Sequence, residues 1–460
     1  MPLTDSDLSR FAHLMRRAGF GARPADYQDL APLGIEKATE RLLHPETVND
    51  PAERLLQEMG TDGFDFDDQD SLKRWWVYRM SRTQRPLVEK MTLFWHNHFA
   101  TANYKVGNTR WMYEQNQTFR KNALGSFPAL LKAMVTDTAM LSWLDGGQNR
   151  KDAPNENFAR ELMELFTMGV DGGYSETDVK EGARAFTGWR YDYGTSQVIF
   201  DDKQHDTGPK KFLGYNSRLG SDDVINILVR HPSTAKFVCG KLARFFIGDN
   251  VSAPMIESLA KTFTKSNFEI RPVVGAILNS PEFYDESNRW NKVKSPIEYS
   301  IGTMRALDTP VASMNNLIYY ANDMGQDLFN PPNVKGWREG QTWLNTAALL
   351  KRREFVNQLA DVMNRRNKLP VSLKSALLPV GRDADTLKTS DELVDALWFL
   401  LMPGRKPSDA TRAALVKYAR GKQDEPKAGE AKPAEKPLDF NSRAPGTMML
   451  ILAAPEYQLC

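Results

Sequence analysis

PLVEKMTLFWHNHFA, Pro86 to Ala100, carries two of the chain's six histidines, His96 and His98, one residue apart. Whether they grip a common ion depends on the backbone beneath them. Side chains at i and i+2 converge on one face of a strand and diverge on a helix. Pro86 suits a first helical position, where its missing N–H has no helical partner to lose. Leu87, Met91, Phe94 and Trp95 recur at helical spacing, so the stretch reads as a helix. With side chains about 100° apart, His98 joins that apolar face and His96 falls opposite, beside Glu89 and Thr92. The helical ligand pair His-x-x-x-His is absent. The expectation is one core histidine, His98, hydrogen-bonded inside, and one surface histidine, His96. Only a chain end or kink at Asn97 would bring the two rings together.

The same period extends in both directions. LSRFAHLMRRAG, the two short pieces within GARPADYQDLAPLGIEKATERLLHP, and SLKRWWVYRMSRT all read as helices, with the acidic run DGFDFDDQD as a loop between them. Helical spacing resumes from Asp222 to about Asn367. Between these regions, WRYDY and QVIFD flank a Gly turn and read as a hairpin. The predicted fold is mostly α: a large multi-helix domain with a small β-hairpin insertion near 189–214. Residues 1–367 read as the main domain. Residues 368–460 read as a helical C-terminal extension with a disordered Lys/Pro/Glu-rich loop at about 420–445.

Composition narrows the function classes. A chain of 460 residues with 41% hydrophobic and 26% charged content has the profile of a globular protein with a sizeable core. A net charge of +2 gives no basic stripe for nucleic acid, and the letters HNH here lack the wide His and Asn spacing of a nuclease. Two cysteines, Cys239 and Cys460, make neither a disulfide framework nor a zinc site. No segment approaches the roughly 18 apolar residues of a membrane helix, and the N-terminal residues have no apolar signal core. As written, the chain is expected to be cytoplasmic, or periplasmic or secreted if a leader was removed.

Three polar blocks stand out. In NENFARELMELFTMG, Asn155 to Gly169, residues Glu156, Asn157, Arg160, Glu161 and Glu164 fill an arc of roughly 140° on a helical wheel. Such a face is either a solvated one laced by Glu156–Arg160–Glu164 pairs or a carboxylate wall that shares a proton or binds a cation. HDTGPKKFLG, His205 to Gly214, combines His205, Asp206 and Lys210, which suit acid/base work or anion binding. NPPNVKGW, Asn330 to Trp337, is a rigid Pro-rich loop that either frames a pocket or caps a helix.

With LMRRAGFGARP, KMTLFWHNHFA and ARAFTGW (Ala183–Trp189), these blocks occur in an order and spacing that closely resemble the bacterial family catalogued as domain of unknown function 1800. The resemblance runs from about Leu14 to Gln458 and includes Arg17, Gly19, Gly21, His96, His98, Glu156, Arg160, Glu161, Gly188, Trp189, His205, Asp206, Lys210, Asn333, Gly336, Trp337 and Arg352. It implies no settled activity. It does imply frequent export, and genes beside those of a phosphatase- or sulfatase-like exported family, which makes such a protein a candidate partner.

The resemblance also gathers the polar blocks into one expected cleft. His96, Glu156, Glu161, His205 and Asp206 would be its catalytic groups. Arg160, Lys210, Trp189, Asn333 and Trp337 would bind substrate. A divalent metal, if one is used, has His96, His98, Glu161 and His205 as candidate ligands. The expected function is an acid/base or metal-assisted hydrolase or lyase acting on a polar polymer such as a polysaccharide. The alternative is a non-enzymatic helical scaffold whose polar blocks are buried ion-pair networks.

Overall fold

Pro86–His98 is a helix with Pro86 at its start, in a computed structural model that describes residues 4–54, 56, 63–308, 316–365, 373–421 and 438–460. Eleven of its thirteen residues are buried, so it is covered on every side. A helix so enclosed must satisfy its polar side chains through other parts of the chain. Glu89 accepts from Trp76 Nε1 at 2.9 Å and from Arg79 and Arg120 at 3.1 and 2.7 Å. Lys90 pairs with Glu298 on the Pro296–Ala306 helix. His98 Nε2 donates to the Phe166 carbonyl at 3.0 Å. The expected core position of His98 is as found. His96 differs: it lies opposite His98 as the wheel places it, but other segments cover that side too, and it is 1% exposed.

The remaining helices pack around this one, and the fold is mostly α as predicted. Gln69–Arg82 and Thr109–Lys121 flank it, and Asp68 caps the former by accepting from Ser71 N. Pro232–Ile247 packs against Ala253–Lys265, and Ile270–Leu278 against Gly34–Leu43. The AGFG turn after Asp5–Arg17 comes very close to the central helix: a Cβ on Gly19 would lie 2.9 Å from Pro86 Cβ. Arg305 donates to four carbonyls, of Gly21, Met80, Ser81 and Thr83, and to Asp26, tying three segments together. No helix among the described residues is long and apolar enough to cross a membrane. Both cysteines are free and buried.

The β content is two antiparallel hairpins: β1 (Trp189–Tyr191) with β2 (Val198–Phe200), then β3 (Lys210–Phe212) with β4 (Tyr215–Ser217). The first matches the expected hairpin. The second lies partly beyond 214 and was not foreseen, because KKF-LG-YNS lacks a β-rich run. Beyond 368, Ser390–Leu401, Asp409–Arg420 and Phe440–Ala453 pack on one another, and the last also lies against Thr346–Arg365. Arg352 donates to Gln458 and to the Lys294 carbonyl, and Tyr299 to the Leu452 carbonyl. Residues 422–437, most of the expected disordered loop, lie outside the described residues.

Burial pushes the Glu89 carboxyl up, but Arg120 and Arg79 outweigh it and hold it at about 2. A carboxyl depressed in the folded state contributes stability that is full above its unfolded value of about 4.3 and is lost as pH falls toward 2. Glu89→Gln is expected to lose about 3–5 kcal/mol, because it leaves the buried Arg120 guanidinium without its anion and Arg79 with Glu53 alone. Thermal melts across pH 2–7 check both points. The acid-side slope should be shallower in the variant, and an unchanged melting temperature at pH 7 would count against the pair's role.

Candidate functional site

The block Asn155–Gly169 is helical but not one α-helix. Asn157–Glu161 is α, and Leu162–Thr167 widens into a π-helix. Thr167 Oγ1 bonds the Leu162 carbonyl, five residues back, at 2.6 Å, and His98 draws on the Phe166 carbonyl. These side-chain bonds satisfy backbone groups where the ordinary helical ladder is interrupted, and such bulges concentrate at functional sites. The widening sets Glu161 and Glu164 half-buried on the outer face. Neither carboxylate has a hydrogen bond or ion pair among the described residues. Burial, and then the Glu164 charge, push the Glu161 carboxyl above the usual range; Lys335 and Arg160 oppose this more weakly.

Lys335 belongs to NPPNVKGW, which crosses the end of the central helix. Asn97 holds the crossing: its Oδ1 accepts Trp337 N at 2.7 Å, and its Nδ2 donates to Glu339 at 3.3 Å. Gly336 has φ of +82°, and a Cβ there would come within 2.2 Å of Asn97 Oδ1, so only glycine fits. Glu339 faces Lys241, whose ammonium burial pushes down to about 8. On the other side, Tyr104 bonds Asn330 and the Pro332 carbonyl, while Lys105 bonds Asp145 at 3.2 Å and Asn157 reaches the same Asp145 at 3.5 Å. Thus Glu161, Glu164 and Lys335 make one polar edge, Asn157 joins it to Asp145, and Asn97 ties the loop bearing Lys335 to the central helix, with Glu339 facing Lys241 on the Pro232–Ile247 helix.

The other expected site residues are placed as follows. Arg160 is held by both oxygens of Glu176 at 2.7 Å and by Glu156 at 3.0 Å. His205 Nδ1 donates to the Thr187 carbonyl at 2.8 Å. Asp206 takes a two-pronged contact from Arg184, which also binds Glu181. Lys210 is buried, and its Nζ donates to the Asp206 and Gly208 carbonyls. This loop is satisfied within itself and by the Glu176–Ala185 helix; no hydrogen bond or ion pair among the described residues joins it to Glu161 or His96. Trp189 meets Phe200 edge to face at 4.8 Å, Asn333 is exposed and accepts Lys335 N, and Trp337 is buried under the loop.

His96 sits in an aromatic box. Trp76, Phe329 and Trp337 lie 5.5, 5.4 and 5.3 Å from its ring, with Phe119 at 6.2 Å. Neither ring nitrogen has a hydrogen-bond partner among the described residues, and the Trp337 indole N–H is likewise alone. Burial pushes the imidazole down to about 3, so it is neutral. No group of three or more His, Cys, Asp or Glu among the described residues is arranged to hold a metal, so His96, His98, Glu161 and His205 do not form one ligand set. Asp137 also has a raised carboxyl, at about 7 through burial, but it caps a helix at Met140 N and accepts from Gln115.

The family model described as "Protein of unknown function (DUF1800)" matches residues 13–459. The chain belongs to the DUF1800 family. Neither a curated protein nor a solved structure matches it. Sequence reasoning missed Lys241, Glu339, Asp145 and Tyr104. Lys241 stands in an otherwise apolar helix and gave no signal. Lys335 and Asn97 were within motifs already singled out, and only their flanking residues drew attention.

Replacing His96 with Leu removes two unpartnered nitrogens from an apolar box at similar volume. The variant is expected to be more stable by about 1–3 kcal/mol, read as a higher thermal midpoint. A lower midpoint would mean that the imidazole makes a polar contact the fold requires.

Proposed function

We propose that this DUF1800 chain is an acid/base hydrolase or lyase acting on a polar polymer such as a polysaccharide, with Glu161 as its proton donor. The observation that carries the reading is a half-buried carboxyl pair, Glu161 and Glu164, left without a hydrogen bond or ion pair among the described residues. A charge retained for structure is normally matched, as Arg160, Asp206 and Lys210 are here. A carboxyl raised by burial and by a like charge keeps its proton toward neutrality and donates it to a leaving oxygen. Lys241, lowered to about 8, exchanges a proton near neutral pH, and Lys335 attracts developing negative charge beside Glu161.

Reducing-end release from a panel of polysaccharides tests this. Glu161→Gln is expected to lower turnover by about 10²–10⁴-fold with an unchanged melting temperature. Wild-type turnover is expected to fall as pH rises through the raised Glu161 value, because the protonated form is the donor. Equal turnover in both proteins would remove Glu161 from the reaction.

The second reading, a helical scaffold for a phosphatase- or sulfatase-like protein, is supported by the fully paired His205–Lys210 loop. It gains if no polymer is cleaved and Glu161→Gln changes nothing but partner binding.

A further inference from the structure

The turn between β1 and β2 presents aromatic surface that neither the core nor the acid/base chemistry uses. Tyr193 is 70% exposed and Tyr104 65% exposed. Neither is a loose side chain. Tyr193 packs at 5.1 Å on Tyr191 and at 5.3 Å on Trp111, and the two tyrosine hydroxyls lie 3.3 Å apart. Trp111 Nε1 fastens the turn by donating to Ser196 Oγ at 2.9 Å. Tyr104 rests on Trp143 at 5.6 Å and is tied to the Pro332 carbonyl. Exposed rings held this firmly lose little freedom when a ligand covers them.

The two aromatic groups are carried by elements that both pack on the Thr138–Trp143 helix. Asp145 bonds Lys105, the neighbour of Tyr104, and lies beside Tyr191, whose hydroxyl Ser142 also contacts. The same Asp145 reaches Asn157, one helical turn before Glu161. The run Tyr193–Tyr191–Asp145–Asn157 therefore leads to the Glu161–Glu164 edge, with Tyr104 on the side of the NPPNVKGW loop.

We propose that Tyr104, Tyr191 and Tyr193 form a platform that binds an uncharged glycan chain and feeds it toward Glu161. The proposal rests on the acid/base reading of that cleft. A pyranose ring has an apolar C–H face that packs on an aromatic ring while its hydroxyls stay hydrated, which is what a firm, exposed tyrosine row accommodates. The nearby charges select against a polyanion. Asp145 is matched by Lys105, Arg190 by Asp201 at 3.2 Å, and Asp192 is bonded by Thr195 N at 2.8 Å. Asp192 has a hydrogen-bond donor but no countercharge, so these groups together carry one net negative charge, which disfavours a polyanion.

The test is affinity electrophoresis of the full chain through gels containing a neutral β-glucan, a galactomannan or a polyuronate, run beside Tyr193→Ala, Tyr104→Ala and Glu161→Gln. At least one neutral polymer should retard the wild type and Glu161→Gln equally, while each tyrosine variant binds about 3- to 10-fold more weakly. The tyrosines are exposed, so the variants should melt with the wild type. Equal retardation of the tyrosine variants, preference for the polyuronate, or no retardation of the wild type by any gel would each overturn the platform. Glu161-dependent cleavage is scored separately. If it persists without retardation, the platform alone fails. Tyr193-dependent retardation with no such cleavage means that the acid/base reading fails while the glycan surface stands.

Discussion

Complete burial of the Pro86–His98 helix is the constraint on which the rest of the structure depends. An amphipathic helix settles its polar face with water; this one cannot, so all its polar side chains but Thr92 and His96 recruit other stretches of chain. Glu89 recruits Trp76, Arg79 and Arg120, Lys90 recruits Glu298, Asn97 recruits the Trp337 loop, and His98 recruits the π-helical segment. Buried pairs of this kind add little over apolar packing but are expensive to break, by about 3–5 kcal/mol when one partner goes. They act less as a reservoir of stability than as a specification of which segments meet, and the cleft is built from two of those segments.

Much of the architecture was legible because helical periodicity is local. The spacing of Leu87, Met91, Phe94 and Trp95 located the central helix and gave His98 its inward side. The same wheel misjudged His96, since a wheel reports direction and not what lies in that direction. The cover over His96 comes from Trp76, Phe329 and Trp337, two of them more than 200 residues away. The π-helical widening of NENFARELMELFTMG was likewise invisible, because it arises from His98 and Thr167 competing for particular carbonyls rather than from any propensity of the segment. Lys241 gave no signal either: burial among other elements pushes its ammonium down, against the opposing charge of Glu339, and neither is visible in its own segment.

The polar motifs divide by how completely they are satisfied. Arg160, His205, Asp206 and Lys210 all spend their hydrogen-bonding capacity on nearby chain, which positions the β-hairpin region against the Glu176–Ala185 helix. Glu161 and Glu164 do not, and they carry a penalty that a purely structural surface would relieve with one arginine. Sequence pattern could not separate the groups, because both are dense runs of charge. What separates them is whether a countercharge lies within reach, and that depends on contacts between distant residues.

The junction of the cleft with the core is at Asn97. Its side chain holds Trp337 N and Glu339, so the loop bearing Lys335 is anchored to the same helix that carries His96 and His98. Gly336 permits that crossing only because no Cβ intervenes. The loop thereby covers His96 with the Trp337 ring, and the burial that leaves the imidazole unpartnered follows from the docking that brings Lys335 toward Glu161. A shift of the loop away from Asn97 would hydrate His96 and weaken the Lys335–Glu161 interaction together. The histidine box and the carboxylate edge are in this sense two consequences of one backbone crossing.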